Sequence, residues 1–315
     1  MRSGPLCPVD VGGRGYRLGM ADLARAEHFI WLTARVLDQR RFAFLFREGS
    51  ADGVAAALAA YRTSDGGCAF GLEPDLRGPV SQPLSVHAAL LVLDEIGRCS
   101  GEPCTSAVDH LVGLTRPDGG IPAVNPAAAD YPHPPFMPVD PDPPSALLST
   151  ALVAGVLHRN SAQHPWLGPA TEFCWRAIEA LTETHPYEVH AAVAFLDHVP
   201  DRRRAAAAAE RLGGLVREQR IVVLDPHHPE EAHLPPGYAE GEWHFVPDYA
   251  RNPRSLASSW FSDEEITAGL DALERDQGED GGWPIRWRQW APGTALESRP
   301  RTTIDALLTL RAHGR

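Results

Sequence analysis

The chain contains no lysine; all 29 of its basic residues are arginine. That absence excludes a Schiff base with pyridoxal phosphate or a carbonyl substrate, the P-loop, and the phosphate-binding lysine of kinases. No G-x-S-x-G elbow and no strand-linked G-x-G-x-x-G occurs, which argues against α/β-hydrolase and dinucleotide-binding readings. No apolar run approaches the ~20 residues of a membrane span, and the N-terminus lacks a signal peptide's apolar core. No integral membrane segment and a cytoplasmic location are therefore expected. Positive charge is also scarce, with 41 acidic residues against 29 basic ones and a net charge of −12. Nucleic acid is thus not an expected partner, because backbone binding needs clustered cations. Arg202-Arg203-Arg204 reads as a solvated helix start. The five cysteines (Cys7, Cys68, Cys99, Cys104 and Cys174) form no C-x-x-C and do not pair evenly. They read as reduced structural thiols.

What the chain does have is three Asp-Gly-Gly turns: Asp65-Gly66-Gly67, Asp118-Gly119-Gly120 and Asp280-Gly281-Gly282. Each follows an apolar helical run and leads into a bulky apolar residue. Paired glycines supply the positive φ of such a helix exit, and the aspartate can bond back onto the turn. Three copies between helices point to a repeated helical-hairpin unit.

At 315 residues the chain is long enough to bury about three quarters of its unfolded surface. Residues 1–19, rich in glycine, proline and arginine, read as a flexible leader, and 20–315 as a single domain. From there the apolar spacing predicts helices at 22–38, 51–61, 82–97, 104–115, 144–160, 166–183, 186–198, 201–219, 253–260, 263–276 and 301–312. Only Ile221-Val222-Val223-Leu224 resembles a strand. Proline-rich connections at 122–144 and 225–253 are long enough to be functional. The turns begin 53 and then 162 residues apart, so a strictly periodic solenoid is excluded. A closed ring of helical hairpins, with Gly-rich turns and long loops over one face, accommodates such insertions.

Gln277-Gly278-Glu279-Asp280-Gly281-Gly282-Trp283, with Asp65–Phe70 and Asp118–Pro122 more distantly, resembles the glutamine-tryptophan repeats of terpenoid cyclases and prenyltransferase β subunits. The resemblance runs over roughly residues 40–313. The segments Gly71–Arg77 and Trp283–Trp290 are also similar to single-domain bacterial prenyltransferase-like proteins. It implies an all-α α6/α6 toroid, an inner ring of helices around an apolar pocket, and a small apolar substrate such as an isoprenoid. Acid-initiated cyclases of that family use a D-x-D-D motif, and its nearest counterpart is Asp140-Pro141-Asp142, with Pro143 in place of the last aspartate. The Asp-x-Cys zinc pair of protein prenyltransferases is absent; Glu172-x-Cys174 is nearest, and i and i+2 on a helix point apart. Asp263-Glu264-Glu265 complements a helix N-terminus rather than binding magnesium. No cofactor is implied, and no oligomeric state is assigned.

Four carboxylates are candidate proton donors: Asp140 and Asp142, which share a proline-rich loop, and Glu73 and Asp75, which follow the first turn. Paired acids beside an apolar pocket can leave one carboxyl neutral, as alkene protonation needs. As a structural alternative, Asp142 or Ser145 caps the following helix. Arg77 is a candidate for binding an anionic group. Tyr131, Phe136, Trp287 and Trp290, with Arg286 stacking among them, are candidates to face a carbocation or sugar ring. Trp283 reads as a structural staple. His227, His228, Glu230, Glu231 and His233 form a metal-like cluster but read as a solvated loop; Glu188 and His190 can line an inner wall, with a solvent face or satisfied core as the favoured alternative. The leading expectation is a class II-like cyclase or isomerase. The alternatives are a carbohydrate-active toroid, hydrolase or lyase, and a non-catalytic ligand-binding or scaffold toroid.

Overall fold

The computed structural model describes residues 21–315, so the expected leader at 1–19 lies outside the described residues. Among them are twelve α-helices and three short 3-10 turns, with no strand beyond two isolated bridges. The expected strand at 221–224 supplies one of these, Val223 with Phe245.

The helices alternate between two rings. The outer ring holds α1 (Leu23–Thr33), α3 (Ala51–Ala59), α5 (Cys104–Val112), α7 (Leu167–Ala180), α9 (Arg202–Glu218) and α11 (Asp263–Arg275). The inner ring holds α2 (Val36–Phe46), α4 (Pro83–Glu95), α6 (Leu147–Arg159), α8 (Pro186–Leu196), the single turn α10 (Val246–Tyr249) and α12 (Pro292–Ala312). Inner neighbours pack in order, α4 on α6, α6 on α8, α8 on α10, and α12 closes against α1 and α2. This is an α6/α6 toroid. The apolar cores fill the wedge between the rings, and the largest spans α6 to α10 with Trp175, Phe195, Leu212 and Tyr249. The α6–α8 contact is close because of Gly155, where a Cβ would sit 2.5 Å from the Ala194 carbonyl oxygen.

The Asp-Gly-Gly turns join the rings by one recurring device. In each, the aspartate Oδ1 accepts from the second glycine's N–H at 3.1 Å. The same carboxylate then reaches to or just before the next inner helix: Asp65 to Ser81 Oγ at 2.7 Å, Asp118 to Ser145 Oγ at 2.6 Å, Asp280 to Arg299 Nη1 at 2.7 Å. Positive φ falls on the first glycine of each pair, with 88° at Gly66, 90° at Gly119 and 89° at Gly281. The second glycine is required by space, since a Cβ on Gly282 would lie 2.6 Å from the Phe29 ring. The last turn also closes the ring. Gln277 accepts from Asp22 N–H (2.7 Å) and donates to Asp22 O (2.9 Å), while Arg25 Nη2 donates to the carbonyls of Gly278 and Glu279. Trp283 is 1% exposed, with Nε1 donating to Leu273 O at 2.7 Å, and is the staple expected.

Three element readings change. The run expected as one helix over 22–38 breaks at Ala34, whose extended backbone is held by Gln39 Nε2 donating to its carbonyl at 3.1 Å. The expected helix at 253–260 is a 3-10 turn, Leu256–Trp260. The last helix begins at Pro292, nine residues before its expected start, and carries Pro300 inside it.

Candidate functional site

Every long connection (60–82, 113–146, 219–245 and 276–291) runs from an outer helix into the N-terminus of an inner one. The long loops therefore gather over one face of the ring, as expected, and that face frames the mouth of the central space.

The inner helices turn a partly accessible stripe toward the ring axis. On α4 it is Leu84, His87, Ala88, Leu91 and Glu95; on α6, Leu148 and Leu152; on α8, Tyr187, His190 and Ala194; on α12, Glu297, Arg301 and Asp305. These follow the i, i+3, i+4 periodicity of one helical face. Leu91 is 38% exposed although its helix is flanked by neighbours on both sides. His87, His190 and Arg301 are surrounded by protein yet keep accessible surface, as side chains do that line an internal hollow. The wall is mixed: leucines on α4 and α6, charge on α2 and α12, and phenol and imidazole rings on α8.

The charged sector is a set of ion pairs. Arg41, 5% exposed, forks onto Glu95 through Nε (2.8 Å) and Nη2 (2.6 Å) and reaches Asp38 Oδ1 at 3.1 Å. Burial would lower its pKa, but Glu95 and Asp38 outweigh burial and hold it well above the ordinary arginine value. Arg301 Nη1 donates to Glu73 Oε2 at 2.8 Å, and Arg251 approaches Asp305 at 3.8 Å. His87 is driven down to about 3, first by burial and then by the Arg301 and Arg251 charges, so it is a neutral imidazole.

The segment after the first turn lies over this sector. Arg35 Nη1 donates to Gly71 O at 2.6 Å, anchoring it to the start of α2. Arg77 Nη1 takes both oxygens of Glu297 at 3.0 and 2.8 Å. Tyr131 braces the far end, where Gly78 has φ 86° and a Cβ would meet the tyrosine ring at 2.6 Å. Asp75 is half-buried, and one of its oxygens accepts from Trp290 Nε1 at 2.8 Å. Burial first and the neighbouring Glu73 second raise its pKa, so its neutral form persists further up the pH scale than an ordinary aspartic acid's.

Across from the charged sector, five rings pack together. Tyr187 stacks on Tyr238 (centroids 5.8 Å, 27°) and meets His244 edge-on at 5.3 Å; His190 meets His244 at 5.2 Å and Tyr249 at 5.0 Å. Burial, then His244, holds His190 well below its ordinary value, and burial takes His244 down to about 4. Asp75 and Glu73 contribute to raising the Tyr187 phenol after burial and Glu242, so the acids and the ring cluster share one environment.

The structure thus brings Glu73, Asp75, Arg77, Tyr131 and Trp290 together. Arg286 lies beside the ring cluster, 4.2 Å over the Phe245 ring and 3.6 Å from Asp248, and the following Trp287 is half-buried. Asp140 and Asp142 are elsewhere. Asp142 is 90% exposed and pairs with Arg116 at 2.9 Å, while Asp140 accepts from the Asp142 N–H. The reading of this pair as a buried donor is corrected: both carboxylates are exposed to water on the surface loop. The capping alternative is corrected as well, because α6 starts after Ala146 without a side-chain cap. Phe136 is 38% exposed on the same loop. His227, His228, Glu230, Glu231 and His233 are exposed or half-exposed, and no group of three or more metal-capable side chains assembles among the described residues. Sequence reasoning raised His190 as an inner-wall residue or satisfied core. It missed Arg301, Glu297, Tyr238 and His244. The i+4 recurrence of Glu297, Arg301 and Asp305 was the available signal for the first two.

Fold and site define an α/α toroid whose inner helices turn a mixed, partly charged and partly accessible face toward the axis. No protein-family model matches the sequence, and no curated protein matches it. Among solved structures, a protein from Actinoplanes aligns with a TM-score of 0.60 at 18% identity, over 93% of this chain and 98% of that one. The two share a fold. The type II terpene cyclase MstE from Scytonema, in complex with its substrate geranylgeranyl dihydroxybenzoate, aligns at 11% identity over 91% of this chain and 86% of that one. Its TM-score of 0.47 is too loose to bear on chemistry.

Proposed function

We propose that this toroid is a class II-like cyclase or isomerase that protonates an alkene or epoxide of an apolar, isoprenoid-type substrate, with Asp75 as the acid. The supporting observation is the placement of Asp75 at the chamber mouth. It is half-buried beside Glu73, with its pKa raised, in the same environment as an aromatic wall. Two adjacent acids in different environments divide the work. Glu73 is committed to Arg301, and Asp75, whose pKa is raised, is the acid assigned to proton transfer. When Asp75 delivers it, the Trp290 N–H already bonded to its carboxyl stabilises the carboxylate left behind. The cation on the substrate then faces the Tyr187 and Tyr238 rings, while Leu84, Leu91, Leu148 and Leu152 take the hydrocarbon and exclude water.

The test is turnover of farnesyl and geranylgeranyl alcohols and diphosphates by the wild type and Asp75→Asn. The amide keeps an acceptor for Trp290 but has no transferable proton, so the rate is expected to fall by about 10²–10⁴-fold. Wild-type turnover by Asp75→Asn would overturn the assignment. The polar stripe on α12 favours a second reading, a carbohydrate-active toroid using Glu73 and Asp75 as its carboxylate pair. Release of reducing ends from an oligosaccharide mixture, with the polyprenyl compounds untouched, would select it.

A further inference from the structure

The connection from α4 to α5 carries a feature that the chamber does not use. Helix α4 ends at Gly97, in the left-handed region at φ 68°, and the chain turns through Ser100 and Gly101 before α5 begins at Cys104. This turn folds Cys99 back onto Cys104, with the two Sγ atoms 3.7 Å apart. Both are free thiols in the core between the rings. Cys68 and Cys174 are free and buried too, but neither is paired with another sulfur among the described residues, and burial pushes the Cys68 thiol up to about 12.

Two further observations separate the Cys99–Cys104 pair from inert core thiols. Cys104 borders a hollow of about 310 Å³ that opens to solvent and is also lined by Ser100, Gly101, Thr105, Asn160 and His164, which brings solvent up to the buried Cys104 side chain. Cys104 is also the first residue of α5, where the helix N-terminus favours a thiolate. Its place at the helix N-terminus and beside the hollow makes Cys104 the nucleophile and Cys99 the resolving thiol, and the contact with Cys99 lowers the Cys104 thiol in the same direction.

We propose that Cys99 and Cys104 are an oxidation-sensitive pair, which a hydroperoxide converts into a disulfide across the α4–α5 turn. The Cys104 thiolate attacks the terminal oxygen of the hydroperoxide. The O–O bond breaks, the alkoxide leaves and takes up a proton as the alcohol, and Cys104 becomes a sulfenic acid. The Cys99 sulfur then attacks the Cys104 sulfur, the S–O bond breaks, and hydroxide leaves as water with the proton lost from Cys99. Two thiols and one hydroperoxide give one disulfide, one alcohol and one water, and the sulfurs lose two electrons. A dithiol reductant reverses the bond by exchange. Because α4 carries His87 and Glu95 on the chamber wall, the bond ties that wall to the outer ring.

The experiment treats the full-length folded chain with hydrogen peroxide, alkylates the remaining thiols, and maps the peptides by mass. The peptide holding Cys99 and Cys104 is expected to lose two hydrogen atoms, resist alkylation and regain both thiols in dithiothreitol. Its oxidation should outpace that of Cys68 and Cys174 by about tenfold or more. In Cys99→Ser the reaction stops at a sulfenic acid that dimedone traps on Cys104; in Cys104→Ser no adduct forms on Cys99. Alkylation of both residues after peroxide, at the rate of Cys68, would overturn the proposal in the wild type alone. So would a linkage from either cysteine to Cys7.

Discussion

Replacing Gly281 by alanine tests how the ring is closed. Gly281 has φ 89°, and a Cβ there would lie 2.2 Å from the Arg25 carbonyl oxygen and 2.4 Å from its carbonyl carbon. These are backbone atoms of α1 and cannot rotate away. Gly97 supplies the internal control, with φ 68° and no described atom within 4 Å of where its Cβ would sit. Gly97→Ala therefore meets only the left-handed backbone cost, about 1–2 kcal/mol. Gly281→Ala meets the same cost and must also separate the turn from α1, straining the Gln277–Asp22 and Arg25–Gly278 hydrogen bonds. Losing two of these three bonds adds roughly 1–3 kcal/mol, for a total of about 2–5 kcal/mol. Urea unfolding of the two variants beside wild type measures the difference through the midpoints. Equal midpoints for Gly281→Ala and Gly97→Ala would refute the claim that the last turn clasps the first helix.

Three further outcomes are expected. Glu95→Gln leaves the buried Arg41 without its bidentate partner, so stability should fall by about 3–5 kcal/mol in thermal or urea unfolding. Asp142→Asn acts on a 90% exposed carboxylate, so unfolding should shift by less than about 0.5 kcal/mol and turnover should not change. The third concerns pH. His244 is held down to about 4, whereas an unfolded histidine titrates near 6.5, so between those values the unfolded chain binds the proton and the folded one does not. Its contribution is full above pH ~6.5 and is lost as pH falls toward 4, by up to roughly 3 kcal/mol. His244→Phe should flatten the slope of melting temperature against pH in that window, and an unchanged slope would count against a neutral, buried His244.

Much of the ring was legible because its devices are local. The Asp-Gly-Gly turns announce helix exits through glycine, and eleven helical runs repeat with the 3.6-residue period. The break at Ala34 was not legible, because neither glycine nor proline marks it and it is held by Gln39 in the folded chain. The early start of α12 was hidden by Pro292 and Pro300, residues that read as breakers although the first occupies a tolerated helix N-terminal position. At the candidate site, Glu73, Asp75, Arg77, Tyr131 and Trp290 could be singled out because they sit in chemically dense stretches of the long connections. Asp140 and Asp142 were misplaced because a motif match carries no information on burial, and an Asp-Pro-Asp loop looks the same in solvent as at a chamber wall. Arg301, 228 positions from Glu73, is joined to it only by ring closure, which no local pattern encodes.

The central claim is that Asp75 donates a solvent-derived proton to an apolar substrate in the chamber. Turnover of geranylgeraniol or its diphosphate in D2O, with the product read by mass spectrometry and NMR, tests it most directly. The expected result is one non-exchangeable deuterium on carbon in the wild-type product, and none above background with Asp75→Asn of unchanged melting temperature. Product formed without deuterium on carbon, or labelled equally by Asp75→Asn, would contradict it.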